Sequence, residues 1–356
     1  MIMMEVAQNN TSKEIEDINL EKGEEVMGEK KVKEYFASAD IGKFNSKLIG
    51  REKSKEKDEI KKICFRTKKY TIDEEFFEVE GNSFSVKFEE KEYVIGEQGT
   101  EIPHGTSKTE LTHKLSCYTA ITRLLKPNTT DNYIDMVLAC PLSSLKNKVE
   151  KEKYKNFIAN DNKQVKITVN DEEFEFTIRD ITIKAEGSGV LYMEADIFKD
   201  KDVAIVDLGG LNMGFSLYRN GSCKLEDRFI EEYGTDMLIE SVRDYMSQYL
   251  GGNIITVDEA SKILDDNGLK KNGAIDTKSV EYLNKAKKKY FENVLTNIKN
   301  HKFDITKLDN IVFVGGTSNH VKSEIQTLPH ALIPGDSAWI TVEGLYKIAY
   351  AKYGKK

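Results

Sequence analysis

The feature that most constrains this chain is a short pattern that occurs twice. Residues 37–49 read A-S-A-D-I-G-K-F-N-S-K-L-I, and residues 204–217 read A-I-V-D-L-G-G-L-N-M-G-F-S-L. Each is an apolar run ending in an aspartate, then D-x-G-x-x-N, then a second run that alternates like a strand. One such segment alone describes no more than a tight turn of Asp and Gly. Two, in corresponding halves, imply two lobes built on the same hairpin, with their loops facing across a cleft.

That pair suits a nucleotide. Gly42, Gly209 and Gly210 have no Cβ, so backbone N–H groups can approach a phosphate closely. Asp40 and Asp207, each at a strand end, can hold Mg²⁺ through its water shell, because that ion sheds hydration reluctantly. Lys47, on the strand leaving the first loop, can reach back as a counter-charge to phosphate. A third glycine site follows at I-V-F-V-G-G-T-S, residues 311–318. A buried strand there ends in Gly315, Gly316 and Thr317, which suits adenosine and an α-phosphate at a helix N-terminus. Two other phosphate loops are excluded. There is no G-x-x-x-x-G-K-[ST]. There is no complete G-x-G-x-x-G, and the Gly209–Gly210 loop runs into a strand where a dinucleotide loop opens a helix.

Composition narrows the class further. At 356 residues the chain exceeds one ordinary core and suits packed lobes. The net charge of −7 argues against a broad nucleic-acid surface, which needs cationic contacts to phosphates, so any DNA partner comes through another protein. No apolar run approaches the length of a membrane span, and the first residues have no apolar leader, so no membrane and no secretion are expected. Cys64, Cys117, Cys140 and Cys223 lie far apart, which fits a reducing cytoplasm better than zinc or disulfides. The five histidines show no metal-ligand spacing.

Along the chain, residues 1–31 read as an extension outside the fold, rich in Glu, Lys and Asn. Strands are expected at 33–39, 63–66, 76–79, 84–88, 93–95, 133–140, 203–206 and 311–314, with a loop at 96–105. A hairpin turns at Asn170–Asp171, with a further strand at 181–184, and Asn220–Gly221 turns the chain into 224–229. Helices are expected at 109–125, 145–158, 187–198, 235–250, 280–300, 319–326 and 343–353. The fold class is therefore α/β. Lobe I spans 32–190, with a small β-rich subdomain at about 63–105, and lobe II spans 191–356, with a helical subdomain at about 235–302.

Together the motifs resemble the superfamily of actin, heat-shock chaperones and sugar kinases. Asp40–Lys47 looks like its first phosphate loop, D-L-G-G at Asp207–Gly210 like its second, and V-G-G-T at Val314–Thr317 like its adenosine motif. Within it, the chain is most similar to ParM-type plasmid-segregation actins. A-C-P-L-S-S-L from Ala139, F-x-F-T-I at 174–178, the following I-x-I-K-A-E, and Y-G-T-D containing Gly234 and Thr235 carry that likeness in the family's order. The resemblance implies an actin-like fold, two lobes of duplicated mixed sheet with flanking helices around a nucleotide cleft. It implies an ATPase using ATP or GTP with Mg²⁺. Asp40 and Asp207 would hold the hydrated metal, and Gly42, Asn45, Gly209, Gly210 and Asn212 would supply donors. Glu186 matches the family's catalytic glutamate and would orient the attacking water, with Asp207 beside it. It implies head-to-tail self-assembly into filaments and a DNA-binding adaptor as partner. Three departures bear on affinity and rate: Ala185 replaces the usual proline, Leu211 the usual threonine, and the adenosine motif has two glycines where many members have three. A small-molecule kinase of the same superfamily is the alternative, but lobe I shows no motif for an aspartate base facing a sugar-sized pocket. A chaperone fragment and a non-catalytic binding module are further readings.

Overall fold

A computed structural model of the chain describes residues 32–54, 59–73, 78–102 and 108–354. The expected extension at 1–31, residues 76–77 of the expected strand at 76–79, and residues 103–105 of the expected loop lie outside them. Within the first half, the strands are β1 (Lys33–Ile41), β2 (Asn45–Glu52), β3 (Lys61–Arg66), β4 (Lys69–Ile72), β5 (Ser83–Phe88), β6 (Lys91–Gly96), β7 (Asn132–Cys140), β8 (Val165–Val169) and β9 (Glu172–Ala185). Their helices are α1 (Leu111–Thr122), α2 (Leu142–Leu145), α3 (Lys148–Ile158), α4 (Gly189–Met193) and α5 (Ala195–Phe198). The second half has β10 (Asp202–Leu208), β11 (Met213–Arg219), β12 (Arg228–Glu231), β13 (Lys270–Lys271), β14 (Ala274–Ile275), β15 (Asn310–Val314) and β16 (Ala331–Leu332). Its helices are α6 (Thr235–Tyr249), α7 (Val257–Asp265), α8 (Thr277–Asn300), α9 (Thr317–His320), α10 (Lys322–Ile325) and α11 (Ile340–Tyr353).

The repeat read from the sequence extends to topology. Among the described residues the first sheet runs β3-β2-β1-β7-β9-β8-β5-β6-β4 and the second β12-β11-β10-β15-β16. The run β3-β2-β1-β7-β9 has the same pairing as the whole second sheet. Each begins as an antiparallel meander, β1 with β2 and β3, or β10 with β11 and β12. Each then adds two parallel strands, β7 and β9, or β15 and β16. Parallel strands are covered on both faces, which is why β7 and β15 are nearly continuous apolar runs.

Strand alternation sets which side chains reach the cleft. Tyr35, Ala37, Ala39 and Ile41 pack with Leu115 and Tyr118 of α1 and Ile158 of α3. The opposite face of β1 places Phe36 against Leu345 and Ala349 of α11, Ser38 donates to the Val342 carbonyl at 2.8 Å, and Asp40 comes next in line. In β10, Ala204, Val206 and Leu208 pack with α6 and α8, while Val203 and Ile205 pack with Val190, Phe198 and Ile340. Asp207 continues that second face. Both aspartates therefore project from the sheet face opposite its main helical layer.

Several elements differ from the sequence reading. The strand expected at 181–184 fuses with its predecessor into the fourteen-residue β9, because β7 offers a continuous parallel partner, with one irregularity between Ile134 and Asp135. The helix at 145–158 starts at Lys148, where the Asn147 side chain accepts from the N–H groups of Val149 and Glu150. The helix at 187–198 is broken into α4 and α5 at Glu194, which leaves helical geometry. The strand after Asn220–Gly221 is Arg228–Glu231, later than 224–229. The β-rich segment expected near 63–105 joins the first sheet, since β5 pairs with β8 at Val86↔Val169. The sequence reading placed α11 in lobe II, yet it packs on β1, β7 and α4 of the first.

That crossing is built on glycine. A Cβ on Gly344 would stand 2.0 Å from the Gly189 carbonyl oxygen, and one on Gly189 would stand 2.1 Å from that of Thr341. Gly344→Ala gains helix propensity but forces the two backbones apart. We expect a net loss of about 1–3 kcal/mol in denaturant unfolding; unchanged stability would show that the contact is not close in solution.

Candidate active site

The two loops have the same internal bond. The Gly42 N–H donates to the Asn45 carbonyl at 3.0 Å, and the Gly209 N–H donates to the Asn212 carbonyl at 2.9 Å. A Cβ on Gly42 would meet the Asn45 oxygen at 2.8 Å, and one on Gly209 the Asn212 oxygen at 3.1 Å. The loops face each other directly: a Cβ on Gly210 would stand 2.4 Å from that of Phe44. Between them opens a cavity of about 460 Å³, within the range of small-molecule sites. Its wall includes Asp40, Gly42, Glu186, Asp207, Gly209, Gly210 and Asn212.

Glu186 is placed by the end of β9. Its N–H donates to the Cys140 carbonyl at 3.0 Å, and the chain turns at Gly187 with φ of +72°. A Cβ there would be 3.1 Å from Asp207 Oδ2, so the turn presses lobe I against the carboxylate of lobe II. Burial, then the charges of Asp40 and Glu186, push the Asp207 carboxyl up to about 7. Among the described residues no three Asp, Glu, His or Cys side chains stand close enough together to ligate a metal ion directly, but Asp40 and Asp207 both line the cavity, and carboxylates so placed can hold Mg²⁺ through its water shell.

The remaining expected residues stand behind the wall. The Gly209 carbonyl accepts from the Thr235 N–H at 3.0 Å, from Thr235 Oγ1 at 3.2 Å and from Thr317 Oγ1 at 3.0 Å. Gly234 lets this segment pass, since a Cβ would lie 2.4 Å from the Gly210 oxygen. Gly315, at φ of +89°, lies against Asp207 and Leu208, and its N–H donates to the Ser337 carbonyl at 3.0 Å. Gly316 has open space where a Cβ would be. Lys47 is paired with Asp40 in the β1–β2 register and donates from Nζ to the Ala338 carbonyl. Asn45 gives the first loop its backbone acceptor rather than a place on the cavity wall. Leu211 lines the cavity with an apolar side chain.

Sequence reasoning missed Lys43, Phe44 and Lys108. The first two lie within the D-x-G-x-x-N loop, and Lys43 lines the cavity. Phe44 carries the Arg66 guanidinium 3.5 Å above its ring. Lys108 has no motif around it. It is almost fully buried, pairs through Nζ with Glu186 Oε1, and lies 3.9 Å from Asp40 Oδ1. Burial alone would lower its pKa, but the two carboxylates outweigh that and hold the ammonium above its ordinary value.

Comparisons with known proteins agree with this fold. The sequence model of the family described as "Actin like proteins N terminal domain" matches residues 38–189. A solved filament structure of Alp12 is 45% identical over 90% of this chain and 99% of that one, with a TM-score of 0.67. The archaeal actin homologue Ta0583, solved in complex with ADP, is 14% identical over 89% of this chain and 99% of that one, at a TM-score of 0.68. A fifteen-stranded ParM filament from Clostridium botulinum is 16% identical over 89% and 99%, at a TM-score of 0.67. No curated protein matches. The fold is that of actin. The chain belongs to the actin-like protein family.

Beneath the site, His113 of α1 is fully buried, and neither ring nitrogen finds a partner among the described residues. Burial, then Lys108 and Lys43, push its pKa down to about 3. Unfolded, the ring titrates near its ordinary value of about 6.5. Between those values the unfolded chain binds the extra proton, so this contribution to stability is lost as pH falls through the window. His113→Leu should lose about 2 kcal/mol less than wild type between pH 7 and pH 5 in denaturant unfolding; parallel pH profiles would contradict it.

Proposed function

We propose that the protein binds ATP with Mg²⁺ in the cleft, hydrolyses it, and polymerises head-to-tail into filaments that segregate plasmid DNA. The observation that carries this reading is the likeness to Alp12, solved as a filament, over nearly the whole of both chains. The site supports the nucleotide part, with two facing glycine loops and the carboxylates of Asp40, Glu186 and Asp207 on one cavity wall. The filament reading stands above the kinase alternative because the family match favours it. GTP is a second nucleotide candidate, a DNA-bound adaptor the candidate partner, and the cytoplasm the proposed location. Among the described residues no helix is long and apolar enough to cross a membrane.

Each residue then has a task. Bound Mg²⁺ would neutralise charge developing on the β- and γ-phosphates. Asp40 and Asp207 would hold such an ion through its water shell. Gly42, Gly209 and Gly210 let backbone N–H groups close on phosphate oxygens. Asn45 and Asn212 fix the two turns by their backbone carbonyls. Thr235 and Thr317 brace the Gly209 carbonyl, and Gly234 lets the Thr235 segment pass against Gly210, so the second loop is set before substrate arrives. Gly316 leaves room for the adenosine side of the nucleotide, while Gly315 lets the chain pass close to Asp207 and Leu208. Lys47 contributes positive charge that reaches Asp207. Glu186 orients the attacking water, and positioning supplies most of the rate without a covalent intermediate.

Light scattering and pelleting with ATP, followed by negative-stain microscopy, test the reading. Polymer is expected with ATP and slow-hydrolysing analogues; none with any nucleotide would remove the filament function. Glu186→Gln should lower phosphate release about 100-fold or more while ATP affinity stays within about threefold. Its filaments should outlast those of wild type. Wild-type turnover in Glu186→Gln would strip that residue of its role.

A further inference from the structure

Lys108 is a cation buried where the fold would otherwise leave three carboxylates to repel one another. A charge so deeply placed is costly unless paired. Its Nζ meets Glu186 Oε1 and stands 3.9 Å from Asp40 Oδ1, while its side chain is 3% exposed. Both partners are site residues from lobe I, and the same lysine lines the cavity. With Oε1 engaged by the ammonium, the second oxygen of Glu186 is left to accept from water.

We propose that Lys108 is the positioning residue for Glu186, fixing its carboxylate for the attacking water and balancing the carboxylate trio until magnesium and nucleotide enter. This rests on the ATPase reading above. Lys108 acts through Glu186 and is not itself assigned contact with the reacting atoms.

The test uses the full chain with K108M, K108R, E186Q and the double variant K108M/E186Q. Single-turnover phosphate release and calorimetric ADP affinity are measured on each. K108M should slow release at least about tenfold with ADP affinity kept within about threefold, and K108R should recover part of the rate. Because the lysine works through Glu186, K108M/E186Q should be no slower than E186Q alone. Wild-type turnover in K108M, additive losses in the double variant, or a matching loss of ADP affinity would each overturn the assignment. A second arm needs no turnover. With MgCl₂ alone, K108M should gain more thermal stability than wild type, since its carboxylates lack their resident cation; an equal gain overturns the charge-balancing role. If K108M does not fold, K108R carries the test: its bulkier head displaces Glu186, so release slows, ADP affinity holds, and adding E186Q costs nothing further. Absence of hydrolysis in wild type would defeat the ATPase reading itself, and the magnesium arm would still decide the role of Lys108.

Discussion

Mutual repulsion among Asp40, Glu186 and Asp207 is the constraint on which this site depends. Burial first, and then the neighbouring charges of Asp40 and Glu186, push the Asp207 carboxyl up. The fold offsets part of this charge with Lys47 and with the buried ammonium of Lys108. Under the function proposed above, a polyphosphate carrying a divalent cation would relieve that repulsion and stabilise the folded chain by mass action.

The loops that present these carboxylates are held from behind. The Gly209 carbonyl takes three donors, from the Thr235 N–H and from the hydroxyls of Thr235 and Thr317. This bracing comes from segments following β12 and β15. Leu211, which stands where the ParM resemblance implies a threonine, offers the cavity an apolar surface. The hydroxyls that steady this loop come from Thr235 and Thr317, behind it. The lobes themselves are tied by the α4–α11 crossing, where Gly189 and Gly344 bring two backbones into contact.

Much of this was legible from residue order. The hairpins at Asp40 and Asp207 have identical turn bonding, and the apolar runs at 133–140 and 311–314 became the buried parallel strands beside them. Alternation along β1 and β10 already fixed that each aspartate shares a face with residues two and four positions earlier. Asn170–Asp171 turned as read, both residues at positive φ. Helix limits were less legible, because caps such as Asn147 and the break at Glu194 depend on single residues within otherwise helical segments.

The sequence by itself determined the repeat, the two phosphate-type loops and the carboxylates at their strand ends, since these are local patterns with a local physical meaning. Only the tertiary structure decided that α11 returns to the first sheet, that β5 extends it through β8, and that Lys108 lies against Glu186. Those pairings join residues far apart in the chain. No period or turn signal encodes them; they follow from how the sheets and crossing helices pack, and a lone lysine before a helix has the same local sequence whether it meets solvent or a buried carboxylate.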